Sequence, residues 1–544
     1  MKSNISRRTF LRRSALLGSG LVAAAGGLSA AGSNFRVSQP FETIIANGLI
    51  YTGDGKPPFR GDVGNKNGKI AALGRLGDYA DRMVDAAGMA VSPGFVDIHT
   101  HTDTNLFQCP EGDSRIFQGI TTDAGGNCGG SPFPDGPFES AALFLEALRK
   151  QKTGINYCTF TGQGSIRSAV IGDWNAPAAA AHTRAMKDLL ERQMDEGSIG
   201  LSCGLEYAPG AYASNEELVE LLQVVARHDG LFAIHMRNED DRVEEAISEA
   251  ISMAREAGVR LQISHLKAQN YNNWHKGPAM LRLIENASKE GLDIAFDRYP
   301  YIAFSTGLTS FIPLTGRQGS VEDVLARLRD RKTAEEFGAY ARSRFERLGG
   351  SRNVVISACT LPANKETYMG KNLEECARIS GKTEWEFVRD LLVEERLKPD
   401  IVAFAMTEDN VRTFLSHPLG MPASDGSVYS PRGPLSATIP HPRSYGTFPR
   451  FLGKYCRQDK IMDFAAAIRK MTSLPASRLK LKERGMLVPG YYADVVVLDP
   501  ASVIDTATFE NPHSFPQGIA HVWVNGKHTI KNGTHTGALA GMVL

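Results

Sequence analysis

Two histidines two residues apart close an apolar run, Val91-Ser92-Pro93-Gly94-Phe95-Val96-Asp97-Ile98-His99-Thr100-His101. On a β-strand alternate side chains share a face, so His99 and His101 leave one strand end together, and two imidazoles on one side can grip a metal ion. A bare His-x-His recurs by chance in long chains, but four further residues add weight to this one. His235 ends Phe232-Ala233-Ile234, and His265 ends Leu261-Gln262-Ile263-Ser264. Asp425 ends Gly420-Met421-Pro422-Ala423-Ser424, and Cys128 stands just past another apolar run, in Gly126-Asn127-Cys128-Gly129. Groups of these types at strand ends point to a divalent metal site.

The elements that must bring them together alternate strand and helix, the pattern of a parallel α/β sheet or barrel. Ser214-Asn215-Glu216-Glu217 reads as a capping box, followed by the helical stripe Leu218, Leu221, Leu222 and Val225. Gly230 stops that helix, and Leu231 to Ile234 is the next strand. Val243, Ile247, Ala250 and Ala254 form the next stripe, closed by Gly258 and followed by the strand from Arg260. Eight candidate strands end near His99, Gly125, Gly162, Cys203, His235, His265, Tyr299 and Ser424, which is the count of a (β/α)8 TIM-type barrel. The barrel domain is expected over 91–484. The interval 316–398 is too long for one crossover; its charged helical pattern reads as a helical insertion between the seventh and eighth units. Short strands and turns over 41–90 and again over 485–544, the latter with an Asn525-Gly526 hairpin turn, suggest one small β-sandwich domain built from both termini. The expected fold class is therefore α/β, a barrel with a small terminal β domain and a late insertion.

The chain has 544 residues, 22% of them charged and 42% hydrophobic, with a formal net charge of +1. That is an ordinary globular composition, and the balance argues against nucleic acid or a membrane surface recognised through charge. Residues 1–31 stand apart. Ser6-Arg7-Arg8-Thr9-Phe10-Leu11-Arg12-Arg13 precedes a short Gly/Ala-rich apolar run ending in Leu28-Ser29-Ala30-Ala31. The basic start, apolar middle and small residues read as a cleavable twin-arginine export signal, so the expected location is the periplasm and the expected partner the twin-arginine export machinery. No membrane attachment is expected after its removal. The seven cysteines are odd in number and scattered, so they form no disulfide scaffold.

At these residues the chain resembles the amidohydrolase superfamily and, within it, the N-acyl-D-amino-acid deacylases. The motifs that carry the resemblance are Pro93 to His101, Gly126-Asn127-Cys128-Gly129, Gly200 to Tyr207, His235-Met236-Arg237-Asn238-Glu239, Ile263 to Lys267, Tyr299-Pro300-Tyr301, Ser424-Asp425-Gly426 and His441 to Phe448. The Asn-Cys-Gly element discriminates, since this branch is similar in placing a cysteine where other binuclear members bridge their metals with a carboxylated lysine or a glutamate. The resemblance implies zinc. Cys128, His235 and His265 would form one tight site with an open fourth position, and His99, His101 and Asp425 a second, weaker one. It implies Asp425 as general acid and base, and Lys267, Tyr299 and Arg443 as the residues that hold the substrate α-carboxylate. Asp97 and Glu206 read as structural or supporting. One departure stands out: the connection 427–440 between Asp425 and Arg443 is longer than the family pattern.

The implied activity is zinc-dependent hydrolysis of an N-acyl-D-amino acid, a small-molecule substrate, to a carboxylate and a free D-amino acid. Hydrolysis of dipeptides with a C-terminal D-residue, or another amide on the same metal site, remains an alternative. So does, from another class, a non-catalytic binding protein on the same barrel.

Overall fold

In the computed structural model, residues 41–544 are described; the leader read at residues 1–31 lies outside them. Each apolar run that ends in a candidate donor forms a short parallel strand. The eight are Phe95–Asp97, Ile120–Gly125, Asn156–Thr159 with its continuation Thr161–Gly162, Gly200–Gly204, Leu231–His235, Arg260–Ile263, Ile294–Arg298 and Gly420–Pro422. Consecutive members pair in parallel. The third strand closes one gap: its first part pairs with the second strand, and beyond Phe160 it pairs with the fourth. The ring closes between eighth and first, where Asp425 N donates to His99 O at 2.9 Å and His101 N to Gly426 O at 2.8 Å. Almost every residue of these strands is buried, as a barrel sheathed in helices requires. The fold is thus the α/β barrel the strand count implied.

Local signals place the sheath. Ser214 Oγ accepts from Glu217 N, starting the helix Asn215–Arg227, whose buried side includes Leu218, Leu221, Leu222 and Val225. The helix Val243–Ala257 ends at Gly258 with φ 69°, a left-handed turn that favours glycine. At the termini, Ala90–Pro93 pairs antiparallel with Val495–Leu498 and in parallel with Phe41–Ile50, so strands from both ends share one nine-stranded sheet. Asn525 and Gly526, both at positive φ, turn the hairpin between Ile519–Val524 and Lys527–Lys531.

The interval 316–398 carries helices Val321–Arg329, Arg331–Arg347, Pro362–Tyr368, Leu373–Ser380 and Glu384–Glu394. It also holds a strand, Val354–Ala358, that the charged helical pattern masks. This strand and Ala303–Gly307 flank Asp400–Phe404 in an antiparallel sheet, so the elaboration extends from 303 to 404 and has a core of its own. No helix among the described residues is long and apolar enough to cross a membrane.

One buried knot fixes the barrel seam. Arg115, with no exposed surface, reaches Asp97 Oδ2 at 2.8 Å, Asp123 Oδ2 at 3.0 Å and Ser424 Oγ at 2.6 Å. Asp97 Oδ1 accepts from Ser424 N at 3.0 Å. First, second and eighth strands are thereby tied at the rim where His99 and Asp425 stand. Burial, opposed by Arg115, pushes Asp97 up to about 6. Replacing Arg115 by Met strands two buried carboxylates. The expected loss is about 3–5 kcal/mol of unfolding free energy, read by chemical denaturation; a loss under about 1 kcal/mol would show that the seam closes without the ion pairs.

Candidate metal centre

The strand ends deliver their side chains to one point. Cys128 Sγ lies 3.3 Å from His99 Nε2 and 3.4 Å from His265 Nε2, while His235 Nδ1 is 2.9 Å from His265 Nε2. Asp425 Oδ1 lies 3.0 Å from His101 Nε2 and 3.4 Å from His99 Nε2. Two donor groups result, His99 with His101, Cys128 and Asp425, and Cys128 with His235 and His265; within each group all donor atoms are within 4.8 Å of one another. Cys128 belongs to both, so the sulfur stands between two candidate cation positions.

The backbone is bent to achieve this. Cys128 (φ 54°), His265 (φ 37°) and Asp425 (φ 49°) all sit in the left-handed region, which side chains other than Gly and Asn rarely adopt.

Behind the imidazoles stand carboxylates. His99 Nδ1 is 3.2 Å from Asp297 Oδ1, His265 Nδ1 is 3.0 Å from Glu239 Oε1, and His235 Nε2 is 3.5 Å from Glu206 Oε2. A carboxylate on the far nitrogen fixes the tautomer and turns the near nitrogen toward the sulfur as a lone-pair donor. His235 Nε2 has no closer protein partner, although it is buried. One thiol and three backed imidazoles make a donor set suited to a borderline-soft divalent ion. The electrostatics agree. Burial alone would disfavour a thiolate, but the imidazoles of His99 and His265 outweigh it and draw Cys128 well below the usual thiol range. Against the effect of burial, Asp425 and then Cys128 lift His101 to about 9, and Glu239, then Cys128 and Glu206, lift His235 to about 10. Asp425 is likewise buried, yet Arg443, then His265 and His99, hold it well below the ordinary carboxylate range.

The expected substrate residues gather beside the donors. Tyr299 is buried, its Oη has no partner, and three cations pack round its ring: Arg298 at 4.3 Å, Arg443 at 4.9 Å and Lys267 at 6.0 Å. Lys267 Nζ is held by both oxygens of Glu239 at 2.6 Å, and Arg443 Nη1 by Asp425 Oδ2 at 2.6 Å. Two cavities, of about 400 and 710 Å³, meet at Tyr207, His265, Thr306 and Asp425. Lys267 and Tyr299 line the smaller, Arg443 the larger.

Sequence reasoning left Asp297, Glu239 and Tyr207 without a role. Asp297 was within reach, because strand alternation puts it on the same face as Tyr299. Glu239 follows His235 by four residues in a loop, where no periodicity applies. Of the connection 427–440, Tyr429 N and Ser430 Oγ tie back to Ser114 and Asp113, and Ile439 N to Ser357 O; the segment between them is largely exposed.

Known proteins are similar to this chain over more than nine-tenths of their own length. The chain is 35% identical to the D-aminoacylase of Alcaligenes xylosoxydans xylosoxydans, with 93% of this chain and 98% of that one aligned. It is 33% identical to the N-acyl-D-glutamate deacylase of the same organism, over 90% and 94%. Among solved structures, the N-acyl-D-glutamate deacylase of Bordetella bronchiseptica, complexed with zinc and a phosphonate mimic of the tetrahedral intermediate, superposes with a TM-score of 0.79 at 33% identity, covering 93% of this chain and 99% of that one. Residues 82–530, from the terminal sheet through the whole barrel and its donors, match the amidohydrolase family, and to that family this chain belongs.

Proposed function

We propose that this amidohydrolase cleaves the amide bond of N-acyl-D-amino acids, releasing a carboxylate and a free D-amino acid. The observation that carries the reading is the Cys128 sulfur enclosed by imidazoles that carboxylates hold from behind, with Asp425 alongside. The D-amino acid as substrate is supported by the activities named for relatives aligned over nine-tenths of the chain. Cys128, His235 and His265 would hold one zinc ion tightly. His99, His101 and Asp425, with the shared sulfur, would offer a second, weaker position. Zinc there supplies Lewis acidity, which acidifies water toward neutrality and polarises a carbonyl.

The chain's own groups do the rest. Asp425 is ionised at neutral pH, since Arg443 keeps its carboxylate low. It takes the proton of the attacking water as the C–O bond forms, then passes it to the amine nitrogen as the C–N bond breaks. Tyr299 Oη, a buried donor with no partner, is free to meet the substrate α-carboxylate, and Lys267 and Arg443 add positive charge on either side of its ring. On this reading the amino-acid half would lie in the 400 Å³ cavity lined by Lys267 and Tyr299, with Arg443 approaching its carboxylate from the larger cavity, which would take the acyl half. The leader motif around Arg7 and Arg8 supports export by the twin-arginine route and a periplasmic location.

Turnover of N-acetyl-D-amino acids, compared with their L-isomers and with dipeptides ending in a D-residue, tests the substrate. Selective hydrolysis of the acylated D-compounds is expected; faster dipeptide cleavage would replace this reading. Asp425→Asn should lower kcat by about 10²–10⁴ with bound zinc retained, as measured by metal analysis of the purified protein. A loss below tenfold would remove Asp425 from proton transfer. Cys128→Ala should lose zinc and activity together; undiminished zinc in that variant would put the metal elsewhere.

A further inference from the structure

We propose that the segment inserted before the eighth strand selects substrates whose amino-acid side chain itself ends in a carboxylate, with Arg344 and Arg347 as the receiving groups. This rests on the deacylase reading above, which seats the amino-acid half in the smaller cavity.

The insertion helix Arg331–Arg347 buries Phe337, Ala341 and Phe345 in the insertion core. Arg344 and Arg347, three residues apart on the helix and so on a shared side, line the 400 Å³ cavity together with Tyr340. The same cavity holds His235, His265, Lys267 and Tyr299, so it runs from the metal donors to the two arginines. A cavity of that size suits a side chain of a few atoms.

Both guanidinium groups are incompletely used. The Nε atoms of Arg344 and Arg347 are buried and have no hydrogen-bond partner. Arg344 lies over the Phe311 ring at 5.9 Å. Beside it stand the Tyr340 hydroxyl and the carboxylates of Glu206 and Asp240. Glu206 lies 3.5 Å from His235 Nε2. Asp240 accepts from the Asn238 side chain at 2.7 Å and from Asp241 N at 2.6 Å, and stands 3.9 Å from Arg347 Nε, outside hydrogen-bond range. A third guanidinium, Arg317, engages each of its nitrogens with a carbonyl, of Ile312, Ser310 and Glu206, so it shapes the wall and adds charge. Arg317, Arg344 and Arg347 thus share this wall of the cavity with Glu206 and Asp240, and the Nε donors of Arg344 and Arg347 are buried without a hydrogen bond. A buried unpaired donor is costly, and a carboxylate meeting an arginine fork removes that cost. An apolar side chain in the same place leaves the donors as they were, and an amide offers one neutral acceptor in place of a charged, bidentate carboxylate. The aspartate and glutamate class is the one whose side chain brings such an anion beside an α-carboxylate.

The decisive comparison is isosteric. N-acetyl-D-glutamate should exceed N-acetyl-D-glutamine in kcat/KM by about 10- to 100-fold, the discrimination expected of charge-assisted hydrogen bonds. Arg344→Gln, alone and with Arg347→Gln, should bring that ratio to within about threefold of unity while kcat/KM for the glutamine compound and the thermal midpoint stay near wild type. Wild-type enzyme that turns over the glutamine or leucine compound as well as the glutamate compound overturns the proposal. So does an unchanged ratio in the double variant. Calorimetric titration with glutarate separates the two levels of the argument. If no N-acyl-D-amino acid is hydrolysed, the deacylase reading fails, and glutarate binding that is lost in Arg344→Gln still supports an anion receptor there. Absence of glutarate binding to the wild type overturns it.

Discussion

A single sulfur atom sets the terms for the rest of the site. Cys128 can stand between two donor groups only because the loop after the second strand is pressed against the end of the fourth. There a Cβ on Gly129 would lie 2.6 Å from Gly204 N, so no larger residue fits. Gly129 also has φ 79°, and its neighbour Gly126 φ 71°. The cysteine between them takes the left-handed conformation, as do His265 and Asp425. Each such residue costs about 1–3 kcal/mol, and the surroundings hold each in place: Asp297 Oδ1 accepts from His265 N at 2.8 Å, and His99 O from Asp425 N at 2.9 Å. Asp297 therefore does two things at once, orienting the His99 ring and fixing the backbone that carries His265.

Charge is arranged with the same economy. The barrel rim buries Asp97, Asp123, Glu239, Asp297 and Asp425. Each faces a guanidinium, an ammonium or an imidazole. Buried pairs of this kind add little net stability, because desolvation offsets the Coulomb attraction, but breaking one is expensive. What they provide here is position. On the proposed reading, the cations offered to the substrate carboxylate, Lys267 and Arg443, are already held by Glu239 and Asp425. An incoming carboxylate therefore joins a fixed array, and Tyr299 Oη contributes the donor that nothing else uses.

The sequence carried the strand-end donors well and the supporting acids poorly, for a physical reason. A residue that closes an apolar run at a barrel strand end is placed by a period of two, so His99, His235, His265 and Asp425 could be assigned to one rim before any coordinates. Cys128 needed the resemblance as well, since its position depends on two glycine turns. Glu206 and Glu239 lie in loops, where contact is made by three-dimensional closure alone. The strand Val354–Ala358 was hidden for a related reason: five residues of Val-Val-Ile-Ser-Ala sit among long amphipathic helices, and their partners, 303–307 and 400–404, are distant in the chain. The tie from Asp97 through Arg115 to Ser424 joins residues 327 positions apart and leaves no local trace.

The insertion and the metal centre are coupled through one ring. Tyr299 follows the seventh strand, and its side chain packs in the core that the insertion builds with Phe304, Phe311, Phe337, Phe345 and Trp385. The residue also lines the cavity beside His265 and Lys267. Phe311 and Phe345 pack at 4.7 Å and continue that core to the helix bearing Arg344. The distance from the reacting centre to the distal arginines is therefore set by close-packed aromatic side chains rather than by a flexible loop. Strand ends supply the chemistry, which any member of such a fold must keep rigid. The inserted segment supplies the far wall, where a change of one or two side chains alters what is recognised without disturbing the donors. Because Tyr299 belongs to both, a shift of the insertion would carry the Tyr299 ring and the Arg344 helix together, so that under the proposed reading the spacing between the two substrate contacts is preserved.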